Sequence, residues 1–131
     1  MPRKNLKLIQ KGLKDKHAAL ALKHTDSLPN FIIIGAAKSA TTTLTTILPK
    51  HPDIFISKPK EPKFFGRQYN KGWDWYASRF SEGQGSALRG EGSTMYTSQM
   101  KAFENTPELM HQYLPKLKLI YIVRHPLDRI I

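Results

Sequence analysis

The chain has 131 residues, of which 40% are hydrophobic, and it carries a formal net charge of +11. This length allows one domain or part of one, and the hydrophobic fraction is sufficient to build a core. The chain has no cysteine, which excludes a disulfide framework and thiolate chemistry. The positive charge favours anionic partners such as nucleotides, sulfated or phosphorylated substrates, nucleic acid or acidic lipid.

The first 28 residues form a basic segment, with seven lysine and arginine residues against two aspartates. Its apolar residues have partly helical spacing, which indicates either a basic arm for a membrane surface or nucleic acid, or a peripheral helix with a solvated charged face. We therefore divide the chain into an arm or helix, residues 1–28, and a main domain, residues 29–131. No apolar run approaches the roughly 20 residues of a membrane span, and the start lacks the apolar region of a signal peptide. These features predict a cytoplasmic protein with no transmembrane segment.

Residues 31–44 read FIIIGAAKSATTTL. The four apolar residues predict a buried parallel strand, Gly35 allows a tight turn, and residues 42–48 should be helical. A lysine followed by hydroxyl residues at a helix start, where backbone N–H groups are unpaired, makes a cradle for an anion. The alternative is a buried strand, a threonine-rich turn and an exposed lysine. Because the stretch lacks the G-x-x-x-x-G-K-[ST] pattern of nucleotide hydrolases, the loop fits a single phosphate or a sulfate-bearing group better than a triphosphate.

Residues 54–57 predict a short strand, and the loop KPKEPKFFG follows at 58–66. Two prolines exclude a helix there, and the loop comes at the carboxyl end of the strand, where open α/β sheets bind ligands. Glu61 is its acidic residue, and Phe64 and Phe65 can anchor it in the core. The alternative is a proline-rich connector in which Glu61 is an exposed ion-pair partner.

In the aromatic segment that follows, residues 69–76, we expect Trp75 to pack in the core and Trp73 and Tyr69 to line a ligand channel. The later predicted elements are a strand near 87–91, helices over 98–105 and 107–114, an apolar and therefore central strand over 117–123, and a helix that starts at 127. Arg124, at the end of the last strand, is either a strand cap or a phosphate ligand. Together these elements predict an α/β fold, a three-layer sandwich around a parallel sheet.

Three segments resemble those of sulfotransferases that use 3′-phosphoadenosine 5′-phosphosulfate (PAPS). Gly35 to Leu44 resembles the 5′-phosphosulfate loop, and Lys60-Glu-Pro-Lys-Phe-Phe65 resembles the catalytic loop of the glycosaminoglycan type. Arg124 matches the arginine of the 3′-phosphate site. The resemblance spans about residues 31–131. It implies a P-loop-like nucleotide-binding fold and transfer of a sulfuryl group from PAPS to a hydroxyl or amine of a small-molecule or glycan acceptor.

The resemblance also implies residue roles. Lys38 would stabilise the leaving phosphate, and Glu61 would be the general base that takes the acceptor proton. The residues that would hold PAPS are Lys38, Ser39, Ala40, Thr41, Thr42, Thr43 and Arg124. Neither a metal ion nor nucleic acid is expected to take part.

A fourth matching segment follows the strand near 87–91. It resembles the family's Glu-x-[Ser/Thr]-x-x-Tyr pattern through Glu91, Ser93 and Tyr96. Heparan-type members often have a lysine where Gly92 stands, and 3-O-type members have a histidine in place of Lys63 and an aspartate in place of Gly66. These departures weigh against a heparan acceptor and leave the general chemistry intact.

Two other functions fit parts of the pattern. One is a non-catalytic nucleotide- or RNA-binding basic module, although no RNA-binding motif is present. The other is a small-molecule P-loop kinase, against which the short spacing between Gly35 and Lys38 argues. In the resembling family a serine of the 3′-phosphate site would directly follow Ile131. We therefore expect the 131 residues to be the N-terminal portion of a sulfotransferase domain and to be inactive alone.

Overall fold

A computed structural model of the chain describes residues 26–130 and contains one sheet of four parallel strands. Its strands are β1 (Phe31–Gly35), β2 (Ile54–Ile56), β3 (Leu88–Glu91) and β4 (Lys118–Tyr121). The spatial order is β2-β3-β1-β4. The predicted parallel α/β sheet is therefore confirmed, with strand ends within two residues of those expected. The arm predicted for residues 1–28 lies almost wholly outside the described residues, so the domain division stays a prediction.

Four α-helices lie between and after the strands. They are α1 (Thr41–Ile47), α2 (Trp73–Ser78), α3 (Thr106–Tyr113) and α4 (Pro126–Ile130). Single 3₁₀ turns occupy Leu48–Lys50, Tyr69–Lys71, Ser81–Gly83, Thr94–Thr97 and Lys101–Phe103. The helix predicted over 98–105 is wrong, because only the last of these turns forms there. The Ser98 hydroxyl accepts a hydrogen bond from the Met100 amide at 3.0 Å, a local turn contact that competes with helix formation.

Helices cover both faces of the sheet. Alternate residues of β1 point to opposite faces: Phe31 and Ile33 pack with Leu44 of α1, whereas Ile32 packs into a second, aromatic core. The residues of α2 and α3 in that aromatic core are Trp73, Tyr76, Ala77, Leu109 and Met110. Two apolar layers on one parallel sheet are the predicted three-layer sandwich.

The loop after β2 is anchored in the aromatic core, as predicted. Phe64 and Phe65 are fully buried. The Phe64 ring stacks on Tyr76 with centroids 4.2 Å apart and an interplanar angle of 6°, and it meets Trp73 edge to face at 5.0 Å. Aromatic pairs of this kind add roughly 0.5–1.5 kcal/mol beyond their area burial, so the core holds this loop firmly.

The assignment of Trp73 to a channel is wrong, whereas Trp75 does pack against the core. Trp73 is fully buried and does not line a channel, whereas Trp75 is only partly buried and packs at the edge of the core. The reason is the helical period, because residues three apart share a face of α2. Trp73 and Tyr76 therefore face inward, and Trp75 lies beside the cations of Lys71, 4.8 Å from its ring centroid, and Arg79, 5.1 Å away.

The strand predicted to be central, β4, is an edge strand of the described sheet and pairs with β1. Ile120 and Ile122 pack on the core beneath α1, whereas Leu119 and Tyr121 on the other face are about half exposed, at 53% and 52%. A strongly apolar strand indicates burial but not a position within the sheet, and β1 and β3 are the inner strands here.

Gly66, which stands where 3-O-type enzymes have an aspartate, is required by close packing. A Cβ atom there would lie 2.4 Å from a ring carbon of Phe103 and 2.9 Å from the carbonyl oxygen of Ala102. We expect Gly66→Ala to lower the free energy of unfolding by roughly 1–3 kcal/mol, the usual cost of overpacking a core. Denaturant unfolding of the full-length protein measures this. The cost should shrink in a Phe103→Leu background, and a variant within about 0.5 kcal/mol of the parent, the range of an ordinary surface substitution, would contradict the clash.

Candidate active site

The carboxyl ends of the four strands meet at one edge of the sheet, because all four strands are parallel. The loop after β1 is bonded to the segment after β4, since the Ala36 amide donates to the Ile122 carbonyl at 2.9 Å. The segment after β3 is bonded to the loop after β2 by the Gly92 amide, which donates to the Lys60 carbonyl at 2.8 Å. The fold thus brings the segments that follow the four strands to one edge, where open α/β sheets bind ligands.

The loop between β1 and α1 has an unusual backbone. Lys38 and Ala40 have φ angles of 60° and 65°, the left-handed region that few residues other than glycine adopt. Left-handed residues in such loops turn successive backbone N–H groups toward one concave side, which binds anions. Ser39 between them is buried, and its hydroxyl has no hydrogen-bond partner among the described residues. An unpaired buried hydroxyl costs about 1–3 kcal/mol, so the loop fits a ligand that carries hydrogen-bonding oxygens.

The threonines of α1 divide into two groups. The hydroxyls of Thr45 and Thr46 donate to the Thr42 carbonyl at 3.0 and 2.8 Å, a common local pattern in helices. Thr41 is buried, and Thr42 and Thr43 are exposed at the start of the helix. Thr45 and Thr46 thus bond within the helix, and only Thr41, Thr42 and Thr43 lie at the predicted cradle.

Lys60 is a site residue that the sequence analysis missed. Its Nζ atom donates to the Thr42 Oγ1 atom at 2.7 Å, so this side chain reaches from the loop after β2 to the first turn of α1. The sequence places Lys60 beside Glu61 but contains no spacing that shows which way it turns. The contact joins the catalytic loop predicted from the resemblance to the predicted phosphate cradle.

Glu61 is partly buried and oriented by Thr94. Its Oε1 atom accepts hydrogen bonds from the Thr94 hydroxyl at 3.2 Å and from the Thr94 amide at 3.4 Å. Thr94 begins the 3₁₀ turn after β3, and this second missed residue lies inside the Glu91–Tyr96 motif. The alternative prediction, an exposed Glu61 in a proline-rich connector, does not fit, because Glu61 is partly buried and hydrogen-bonded to Thr94.

Arg124 lies against the loop after β1. Its guanidinium Nη1 atom donates to the Lys38 carbonyl at 3.4 Å, and the side chain is exposed. The neighbouring positions of β1 and β4 in the sheet bring the two residues together. The structure therefore places both predicted phosphate-binding cations at the same edge.

A buried carboxyl group, Glu91, lies beneath the site. Its Oε2 atom accepts hydrogen bonds from the hydroxyls of Tyr76 and Tyr96. Burial raises the pKa of Glu91 to about 7, although side-chain hydrogen bonds, including those of the two tyrosines, act in the opposite direction. Burial also raises the pKa of both tyrosines well above the usual value, and the adjacent carboxylate raises it further.

Gly92 explains one departure from heparan-type sequences. A Cβ atom at this position would lie 2.8 Å from the Thr45 methyl carbon, so α1 packs directly on the end of β3. A lysine side chain there would require Thr45 or α1 to move. The absence of the lysine is thus linked to helix packing in this chain.

Among residues 26–130, His, Asp and Glu side chains form no group of three or more that could hold a metal ion. Within that range, no helix is both long and apolar enough to span a lipid bilayer. Metal-free chemistry and a cytoplasmic location stay predictions.

A parallel sheet with helices on both faces, and with a lysine loop, an arginine and a carboxylate gathered at one edge, is an α/β fold of the P-loop-like class. The family model for the sulfotransferase domain matches residues 28–131. The chain therefore belongs to the sulfotransferase family, and the resemblance stated from its motifs is confirmed.

Individual relatives agree with this assignment. The chain is 37% identical over 105 residues to the membrane-associated sulfotransferase kil1 of Dictyostelium discoideum. This alignment covers 78% of the chain and 21% of that protein. The chain is 34% identical over 116 residues to the bifunctional heparan sulfate N-deacetylase/N-sulfotransferase 3 of Mus musculus, covering 82% and 13%. It is 33% identical over 103 residues to the human heparan sulfate glucosamine 3-O-sulfotransferase 6, covering 79% and 29%. The chain thus spans less than a third of the length of each of these relatives.

Proposed function

We propose that the full protein transfers a sulfuryl group from PAPS to a hydroxyl or amine of a carbohydrate acceptor. The observation that carries the proposal is the Lys60–Thr42 contact, which joins a loop bearing an oriented carboxylate, Glu61, to a loop built for an anion. Membership of the sulfotransferase family supports the reaction class. The relatives named as N- and 3-O-sulfotransferases of heparan sulfate support a carbohydrate acceptor and both acceptor atoms.

Residues at the sheet edge have different proposed roles, and those of the loop after β1 bind the sulfuryl donor. PAPS, when bound, supplies the sulfuryl group and a phosphate leaving group. The residues proposed to hold its 5′ end are Lys38, Ser39, Ala40, Thr41, Thr42 and Thr43, and the unpaired Ser39 hydroxyl is the structural feature that fits such a ligand. The Lys38 ammonium group neutralises negative charge that develops on the leaving oxygen. Lys60 adds a second cation at the first turn of α1.

Glu61 acts on the acceptor. Its carboxylate takes the proton from the attacking hydroxyl or amine as the new bond to sulfur forms. The Oε1 atom is occupied by Thr94, which leaves Oε2 as the atom that receives the proton. Thr94 therefore fixes the direction of the base.

Arg124 is proposed to bind the 3′-phosphate of PAPS. A guanidinium group presents several donors in a planar fork and pairs well with phosphate oxygens. Its exposed position beside the Lys38 carbonyl supports this role. Gly92, Lys63 and Gly66 replace residues of heparan-type sites, which weighs against heparan as the particular carbohydrate acceptor.

The test uses the full-length protein and four ligands. We expect PAPS and its desulfated product, 3′-phosphoadenosine 5′-phosphate, to raise the unfolding temperature, and ATP with Mg²⁺ or single-stranded RNA to leave it unchanged. PAPS-dependent sulfation of a panel of carbohydrate hydroxyls and amines would then be measured. Stabilisation by ATP with Mg²⁺ would favour the kinase, and stabilisation by RNA without any sulfation would favour the binding module.

Lys60 can be tested against a matched neighbour in the same loop. We expect Lys60→Met to weaken binding of 3′-phosphoadenosine 5′-phosphate roughly tenfold, the effect of about 1.4 kcal/mol, because it removes a cation beside Thr42. Lys58→Met is the control, since the Lys58 side chain is turned away to an exposed ion pair with Glu82 at 2.6 Å. Titration calorimetry gives both dissociation constants. Equal values for the two variants would remove Lys60 from the donor site.

A further inference from the structure

We propose that the buried Glu91–Tyr96 pair positions the general base Glu61, an inference that rests on the proposed function. Both are positioning residues, since both side chains are buried beneath the site. The pair acts through the 3₁₀ turn Thr94–Thr97 and through the backbone of the loop that carries Glu61.

A hydrogen-bond path runs from Glu91 through Tyr96 to the loop that carries Glu61. The Tyr96 hydroxyl donates to the Glu91 Oε2 atom at 3.0 Å and accepts from the Phe65 amide at 3.4 Å. One hydroxyl thus connects a buried carboxyl group to the backbone of the Glu61 loop. Next to it, the Ser93 hydroxyl accepts from the Lys63 amide at 3.0 Å. The loop is therefore held at two amides by residues of the segment that follows β3.

Thr94 links Tyr96 to Glu61 by a second route. It belongs to the same turn as Tyr96, and it donates both hydrogen bonds to Glu61. A turn that is fixed at Tyr96 is also fixed at Thr94. Movement of Tyr96 would therefore displace the base itself and the loop that bears it, by two independent routes.

Burying the Glu91 carboxyl group costs free energy. Glu91 is fully buried, and burying a carboxyl group is expensive unless hydrogen bonds compensate it. A core that required only packing would be served by an apolar side chain of the same size. The Glu91 Oε2 atom accepts two hydrogen bonds, whereas Oε1 has no partner among the described residues. The bonds to Oε2 therefore fix the positions of Tyr76 and Tyr96, and Tyr96 in turn holds the loop of the general base.

The chain offers a matched pair of variants for the test. Tyr76 and Tyr96 are both buried and both donate to Glu91 Oε2, but only the Tyr96 hydroxyl also bonds the Glu61 loop. Phenylalanine keeps the ring at either position, whereas Glu91→Ala would leave two buried hydroxyl donors without an acceptor and endanger folding. Tyr96→Phe and Tyr76→Phe in the full-length protein therefore separate positioning from stability.

We expect Tyr96→Phe to lower kcat roughly tenfold to a hundredfold, as small displacements of catalytic groups do, with the KM for PAPS unchanged. Tyr76→Phe should lower thermal stability to a similar extent while kcat stays within about threefold, less than one power of ten in rate. Glu91→Gln should change kcat in the same direction as Tyr96→Phe, and combining the two should add little. Equal losses of kcat in the two tyrosine variants would overturn the proposal.

Amide hydrogen exchange supplies a readout that needs no activity. Tyr96→Phe should speed exchange at residues 63–66, and Tyr76→Phe should not. Unchanged exchange there in Tyr96→Phe would refute the pair's role even in a protein that transfers nothing. Glu61→Gln distinguishes failure of the proposed function from failure of the positioning role. An active Glu61→Gln variant would refute the assignment of Glu61 as the base. An inactive Glu61→Gln variant together with a fully active Tyr96→Phe variant would refute the positioning role of the Glu91–Tyr96 pair alone.

Discussion

Replacing Lys38 by alanine is expected to reduce kcat of the full-length protein about 10²–10³-fold, the effect of removing one preorganised group that stabilises developing charge. The reason is the position of Lys38 in the loop after β1, next to the buried Ser39 hydroxyl and below Arg124. Sulfuryl transfer leaves negative charge on the departing phosphate oxygen. Without the ammonium group, that charge meets only backbone N–H groups and hydroxyls.

The substitution separates chemistry from folding cleanly. Lys38 is exposed and has a φ angle of 60°, and alanine carries the same Cβ atom, so the strain of this conformation is nearly unchanged. Lys50→Ala is the control, since Lys50 is an exposed lysine in the turn after α1. Turnover and unfolding temperature would be measured for both. A Lys38→Ala variant that keeps the turnover of the parent would exclude Lys38 from catalysis.

The sequence predicted the sheet well, and it placed the candidate site residues at one edge of that sheet, for a physical reason. Apolar, β-branched runs such as Ile32 to Ile34 indicate buried parallel strands, and parallel strands necessarily bring the segments after them to one edge. The motifs at Lys38, Glu61 and Arg124 therefore converged without any knowledge of side-chain contacts. Strand order was less accessible, because the apolar pattern of β4 is the same for an inner strand and for an edge strand that packs on one face.

Side-chain directions were the part that the sequence did not contain. Lys60 and Lys58 are both lysines of one proline-rich loop, yet one bonds Thr42 and the other an exposed glutamate. That difference follows from the path of the loop, which is fixed by buried Phe64 and by the Gly92–Lys60 backbone bond. Thr94 was missed for a similar reason, since its role exists only once β2 and β3 are neighbours.

Replacing Glu61 by glutamine is expected to lower kcat about 10²–10⁴-fold, the range for the loss of a positioned general base. Glutamine has nearly the same shape, and its amide oxygen can still accept the two hydrogen bonds that Thr94 donates. The loop should therefore keep its place, and affinity for 3′-phosphoadenosine 5′-phosphate should be unchanged. What glutamine cannot do is accept the acceptor's proton as the bond to sulfur forms.

Two measurements on the full-length protein decide this prediction: kcat at saturating PAPS and acceptor, and the dissociation constant of 3′-phosphoadenosine 5′-phosphate. Glu82→Gln is the matched control, because Glu82 is an exposed carboxylate whose partner is Lys58, and its loss should leave both quantities unchanged. A Glu61→Gln variant that binds the nucleotide poorly but reaches the parental rate at saturation would assign Glu61 to the structure of the loop. A variant that binds normally and turns over slowly would place the proton transfer at Glu61, since the remaining contacts of the loop are the same in both proteins.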